Sequence, residues 1–138
     1  MFVHKLNDSN KSNKKTIITI GNYDGLHKGH SYLLNKLTTL AKINDFKSVL
    51  ITFNPHTKSV IYDTDFKVLT TFIDKIDLSK KLNIDFLCEV DFNKNIKNLT
   101  YKDFIEIIIS KYNPSIILFG YDNKFGKDRT GNYNILKD

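Results

Sequence analysis

The chain has 138 residues, the size of one domain, and at 41% hydrophobic and 26% charged it can bury a core without disulfide or metal staples. No apolar run approaches the ~20 residues that cross a bilayer, residues 1–15 hold no apolar stretch of signal-peptide length, and the single cysteine, Cys88, excludes an internal disulfide and a cysteine zinc site. These features point to a reducing, cytoplasmic setting and no membrane partner. The net charge of +6 raises nucleic acid, but all but one of the 21 basic residues are lysine, Arg129 being the exception, and there is no Trp. Base readout leans on the Arg fork, so no nucleic-acid partner is expected. The charge remains compatible with a phosphate-rich small ligand.

Residues 2–6 read as a short edge strand and 7–15 as a solvated Asn/Ser/Lys loop, in which Lys11, Lys14 and Lys15 form an exposed run. His4 is expected at the surface. Residues 16–20, Thr-Ile-Ile-Thr-Ile, are β-branched throughout and stop at Gly21, which predicts a buried strand. Residues 21–29 hold three glycines and read as a loop. From His30 to about Asn44, Leu33, Leu34, Leu37, Leu40 and Ala41 recur at helical spacing. A second buried strand covers 48–53 and is stopped by Asn54-Pro55. After an irregular stretch, Thr71 with Asp74 resembles a capping box, and a helix runs through Ile73, Ile76, Leu78 and Leu82 to a stop at Asn83. Residues 86–90 are a third strand, placing Cys88 in the core as an inert thiol. Thr100 with Asp103 starts a helix over 101–112, with Ile105, Ile107, Ile108 and Ile109 assigned to the core. Residues 115–119 are a fourth strand and 120–132 a Gly- and charge-rich loop.

This alternation of strand and helix predicts an α/β fold: a doubly wound parallel sheet with helices on both faces. Ligands of such sheets bind beyond the carboxyl ends of the strands. The chemically unusual residues fall in those loops, three of the four histidines (His27, His30, His56) among them.

His27 and His30 are three apart at a helix start, so they share a face. The free N–H groups of a helix N-terminus favour anions, and Gly29 lets a phosphate approach the backbone. Two imidazole donors there would clamp a polyphosphate and stabilise charge on a leaving group. A pair of surface histidines capping a helix has the same spacing. The loop is neither of two common phosphate loops. Gly126-Lys127 is followed by Asp128, which excludes a Walker A loop, and Gly21, Gly25 and Gly29 are four apart, which excludes G-x-G-x-x-G.

Residues 19–30, Thr-Ile-Gly-Asn-Tyr-Asp-Gly-Leu-His-Lys-Gly-His, resemble the H-x-G-H segment of the nucleotidyltransferase superfamily. More closely, they resemble the G-N-F-D-G-x-H-x-G-H form of bacterial FAD synthetase, the bifunctional riboflavin kinase/FMN adenylyltransferase. Thr52-Phe53-Asn54-Pro55-His56 is similar to that family's T-F-x-P-H-P. Leu69-Thr70-Thr71, Lys75 and Asn83-Ile84-Asp85 are similar to its L-T-x…K…G-x-D stretch. Residues 120–131 are similar to its G-x-D-F-x-F-G-K-G-R-x-G. The likeness runs in order from about Thr16 to Leu136, and four motifs in register are far more specific than H-x-G-H alone. Tyr23, Thr57, Asn123 and Asp128 depart from the pattern. The family's later I-S-S-T-x-I-R segment and its riboflavin kinase domain have no counterpart within these 138 residues. The expectation is therefore an FMN adenylyltransferase domain over 1–138, truncated at its C-terminus and weakly active or inactive alone.

The resemblance implies a Rossmann-like nucleotidyltransferase fold and adenylyl transfer from ATP to FMN, giving FAD and pyrophosphate, with Mg²⁺ accompanying ATP. His27 and His30 would be the catalytic pair. Gly21, Asn22, Tyr23, Asp24, Gly25 and Gly29 would join them in binding ATP, although Asn22 and Asp24 also fit simple turn formers. Asn54, Pro55, His56, Asp122, Phe125 and Arg129 would lie on the flavin side, Phe125 as a stacking face and Arg129 as a bidentate phosphate contact. A hydrogen-bonded loop histidine is the alternative for His56. Two other functions stay open: a nucleotide- or flavin-binding remnant without turnover, and a sibling transferase using another phosphate acceptor, against which the second and third loops argue. The Mg²⁺ ligands and the oligomeric state are not legible.

Overall fold

The computed structural model describes residues 2–6, 11–23, 28–54, 72–91, 98–119, 124–125 and 131–132. Along the chain these form β1 (Phe2–Lys5), β2 (Thr16–Ile20), α1 (Lys28–Asn44), β3 (Lys47–Asn54), α2 (Phe72–Lys81), β4 (Phe86–Asp91), α3 (Tyr101–Tyr112), β5 (Pro114–Leu118), β6 (Lys124–Phe125) and β7 (Gly131–Asn132). The first five strands make one sheet in the order β1-β4-β3-β2-β5, and every pairing in it is parallel. The expected edge strand is thus a fifth member of the main sheet. The expected 120–132 loop contains a short antiparallel ladder, Lys124 opposite Asn132 and Phe125 opposite Gly131.

The two-residue period of the strands divides the core. Ile18, Ile20, Val49, Ile51, Phe53, Cys88 and Val90 face α3, where Phe104, Ile105, Ile108 and Tyr112 meet them. Ile17, Leu50 and Leu87 face the other way, against Leu34, Leu37 and Ala41 of α1 and the half-buried Phe72 and Ile76 of α2. Leu34 and Leu37 are fully buried, each worth about 1.5–3 kcal/mol in apolar burial. The layering follows from connectivity. From β2 to β3 to β4 the chain steps in one direction, and α1 and α2 share a face. From β4 it crosses back to β5 beyond β2, and α3 takes the opposite face, as crossovers of a single hand require.

Local signals end the helices where expected. Thr100 caps α3, its side chain accepting from the Asp103 N–H at 3.2 Å. Asp45, Asn83 and Asn113 follow the three helices in the left-handed region, with φ of 55°, 58° and 49°. Asn and Asp tolerate that conformation better than other non-glycine residues. The proposed capping residue Thr71 lies outside the described residues.

Two expectations are corrected. His4 is buried, not at the surface: alternation along β1 turns Val3 and Lys5 outward and His4 inward. Its Nε2 is 2.5 Å from the Tyr112 hydroxyl, and its ring meets the edge of Phe86. In α3 only Ile105 and Ile108 join the core, whereas Ile107 and Ile109 are exposed. The inward stripe runs through residues 104, 105, 108, 111 and 112, and 100° per residue carries 107 and 109 off it. Ile73 of α2 is likewise exposed. Among the described residues no helix is long and apolar enough to cross a membrane.

Candidate active site

A parallel sheet brings all its strand ends of one kind to one edge. Beyond the carboxyl end of β2 the connection to β3 goes one way while β5 lies on the other side, so β2 is where the strand order reverses. A crevice opens at such a point, and ligands of open α/β sheets bind there. Gly21, Asn22 and Tyr23 follow β2 directly, Asn54 is the last residue of the adjacent β3, opposite Asp91 of β4, and Phe119 follows β5.

The turn after β2 is fastened from three sides. The Gly21 N–H donates to the Ile51 carbonyl at 3.0 Å, extending the ladder by one residue. The Thr52 hydroxyl donates to the Asn22 carbonyl at 3.1 Å. Tyr23 turns sharply, with φ of 51°, and its side chain folds back along the strand so that its hydroxyl hydrogen-bonds Thr19 Oγ1. Tyr23 is buried, and loss of hydration pushes its phenol up to about 12, against a smaller opposing effect of the Thr19 bond.

Helix α1 begins at Lys28, two residues earlier than the expected start, so Gly29 and His30 lie in its first turn. The half-buried His30 ring packs on Tyr23 with centroids 5.0 Å apart. The first turns of α2 and α3 carry Asp74 and Asp103, acids that suit the positive end of a helix dipole. The first turn of α1 has no acid and instead carries Lys28 and His30. A helix start without an acid leaves its free N–H groups and the positive end of its dipole available to an anion.

Of the residues singled out from sequence, Gly21, Asn22, Tyr23, Gly29 and His30 lie together around this turn and helix start, and Asn54 ends the neighbouring strand. Phe125 lies in β6 opposite Gly131. Asp24, Gly25, His27, Pro55, His56, Asp122 and Arg129 lie outside the described residues. Two residues at this edge had no role assigned from sequence. Thr52 is fully buried, and Lys75 of α2 is 6% exposed, its Nζ donating to Thr52 Oγ1 at 2.9 Å. A signal for Lys75 was present: Phe72, Lys75, Ile76 and Ser79 fall on one helix face, so the inward stripe of α2 includes a lysine.

The chain is 34% identical to the bifunctional riboflavin kinase/FMN adenylyltransferase of Buchnera aphidicola subsp. Schizaphis graminum, across 99% of this chain and 45% of that protein. It is 28% identical to the FAD synthetase of Listeria monocytogenes, across 94% of this chain and 53% of that one. The chain spans about half the length of the curated relatives it matches. Among solved structures, a crystal structure described as a macrolide-efflux protein from Streptococcus pneumoniae superposes with a TM-score of 0.86 at 24% identity, covering 99% of this chain and 55% of the other. That likeness concerns the fold alone. Residues 9–138 match the FAD synthetase family model, and the chain belongs to the FAD synthetase family.

Proposed function

We propose that residues 1–138 serve as an FMN adenylyltransferase domain, transferring the adenylyl group of ATP to the phosphate of FMN. A phosphate oxygen of FMN attacks the α-phosphorus in line, the bond from that phosphorus to the bridging oxygen breaks, and pyrophosphate leaves. No covalent enzyme intermediate is required, so catalysis rests on positioning and on stabilising charge. His27 and His30 donate to the triphosphate as charge moves onto the departing pyrophosphate. Gly21, Asn22, Tyr23, Asp24, Gly25 and Gly29 form the nucleotide side. Asn54, Pro55, His56, Asp122, Phe125 and Arg129 form the flavin side, in keeping with their place in the family-like motifs.

The observation that carries this reading is the start of α1. A helix N-terminus with basic residues and no acid in its first turn stands where the strand order reverses, in a chain of the FAD synthetase family. Family membership supports FMN and ATP as the substrates. ATP enters as its Mg²⁺ complex, since this small ion keeps its waters and is held largely by phosphate oxygens. The described residues include no group of three or more His, Cys, Asp or Glu side chains placed to hold a metal ion. A cytoplasmic location and small-molecule partners fit the same reading.

The test is incubation with FMN, ATP and Mg²⁺, with FAD followed by chromatography and pyrophosphate measured in parallel. The reading expects the two products in equal amounts. Adenylylation of a pantetheine or glycerol phosphate with FMN untouched overturns the flavin assignment. Binding of both ligands without FAD formation favours a binding module instead.

A further inference from the structure

We propose that Lys75 is a positioning residue for nucleotide binding, acting through Thr52 on the Asn22–Tyr23 peptide. This rests on the proposed function for its meaning, although not for its test. The three groups form a chain with only one possible direction. An ammonium has donors and no acceptor, so Nζ donates to Thr52 Oγ1 at 2.9 Å, and the single hydroxyl proton goes onward to the Asn22 carbonyl at 3.1 Å. Lys75 thereby decides which way the Thr52 hydroxyl points.

The carbonyl at the end of this chain belongs to the turn that leads from β2 towards α1. In a planar trans peptide the C=O and N–H point in opposite directions. Holding the Asn22 carbonyl against Thr52 therefore aims the Tyr23 N–H away from β3 and fixes the step at which Tyr23 takes its positive φ of 51°. Hydrogen bonds in series polarise one another, so a full charge at the head of the chain strengthens the Tyr23 N–H as a donor. A turn that must meet a polyphosphate gains from both effects.

Burial makes a purely packing role for Lys75 expensive. Lys75 is 6% exposed as a residue and its hydrogen bond to Thr52 is buried, and a buried charge is tolerated only where strong partners replace its water. On the same inward face of α2, Phe72 and Ile76 are half-buried against the cluster that holds Leu50 and Leu87. The charge is kept at the sheet edge where an anion is proposed to bind, 23 residues along the chain from the hydroxyl that it orders.

The experiment uses Lys75→Met, Thr52→Val, their double variant, Thr52→Ser, and Lys80→Met as an exposed control on the same helix. Two readouts are taken: deuterium exchange of the backbone over 21–30 without ligand, and ATP affinity together with kcat and KM for FAD formation. Lys75→Met and Thr52→Val should each speed exchange in that segment and weaken ATP by about tenfold or more, the scale of a lost charge-assisted hydrogen bond. The KM for FMN should move far less. The double variant should be no worse than either single change, because both cut one chain. Thr52→Ser should recover most of the loss, and Lys80→Met should match the wild type. Additive losses, or a lowered melting temperature with exchange and ATP affinity unchanged, would overturn the proposal. If the wild type forms no FAD, exchange and ATP affinity still decide the role of Lys75, so the two readings fail separately.

Discussion

The Tyr23 ring lies against His30, their centroids 5.0 Å apart and their planes inclined by 57°. Tyr23 is itself held by the hydrogen bond of its hydroxyl to Thr19 on β2. The sheet therefore reaches the first turn of α1 through one side chain: Thr19 fixes Tyr23, and Tyr23 is a wall that limits where the imidazole turns. The aromatic residue in this loop supports a histidine as well as contributing to the core.

The first expected outcome concerns that histidine. His30→Ala should slow adenylyl transfer by about 10²–10³, the usual loss when one preorganised donor to developing charge is removed. Its stability should change by less than about 1 kcal/mol, because the ring is only half-buried at a helix start. Rates of FAD formation and a thermal melt on the same preparation check both parts. An unchanged rate would reduce His30 to a helix-start residue packed on Tyr23.

Tyr23 should make stability sensitive to alkali. Its phenol is raised from 10.0 to about 12 in the folded protein, chiefly by burial. Below pH 10 it keeps its proton in both states. Between pH 10 and 12 the unfolded chain releases the proton while the folded one retains it, so stability falls as pH rises through that window. A rise of that size corresponds to about 2–3 kcal/mol. Tyr23→Phe lacks this titration but also loses the bond to the fully buried Thr19, a cost of about 1–3 kcal/mol at neutral pH. The urea midpoint of the wild type should exceed that of Tyr23→Phe at pH 8, with the gap closing from pH 10 upward. A gap that stays constant to pH 11.5 would refute the assignment.

At the opposite edge of the sheet Asp85 and Ser48 clasp each other. Asp85 Oδ2 accepts from the Ser48 N–H at 2.8 Å and from its hydroxyl at 3.1 Å, while the Asp85 N–H donates to Ser48 Oγ at 2.9 Å. Ser48 is buried, so Asp85→Ala should cost about 1–3 kcal/mol. Lys47, 3.9 Å from Asp85 and partly exposed, forms an ion pair worth at most about 1 kcal/mol. Urea unfolding of Asp85→Ala beside Lys47→Ala separates the two, and equal losses would show that the ion pair, not the clasp, matters.

The sequence by itself determined the main elements, their alternation, and the carboxyl-end edge of the sheet at which the described motif residues lie. Those are local matters: β-branched runs, helical spacing, a Thr cap and left-handed Asn stops act within a few residues, and right-handed connection of parallel strands leaves few topologies. It also led to the turn at 21–23 and to His30, since motif residues after a buried strand sit at its carboxyl end. Tertiary structure decided what depends on partners remote in the chain. His4 is inside because Tyr112, 108 residues away, meets its ring nitrogen. Ile107 and Ile109 are outside because helix rotation, not composition, chooses the buried stripe. The lysine on the inward face of α2 acquires a partner only when β3 brings Thr52 beside it, and that hydroxyl in turn reaches a carbonyl 30 residues earlier. A hydrogen bond acts over about 3 Å, so its meaning is written only where the fold has already brought distant segments together.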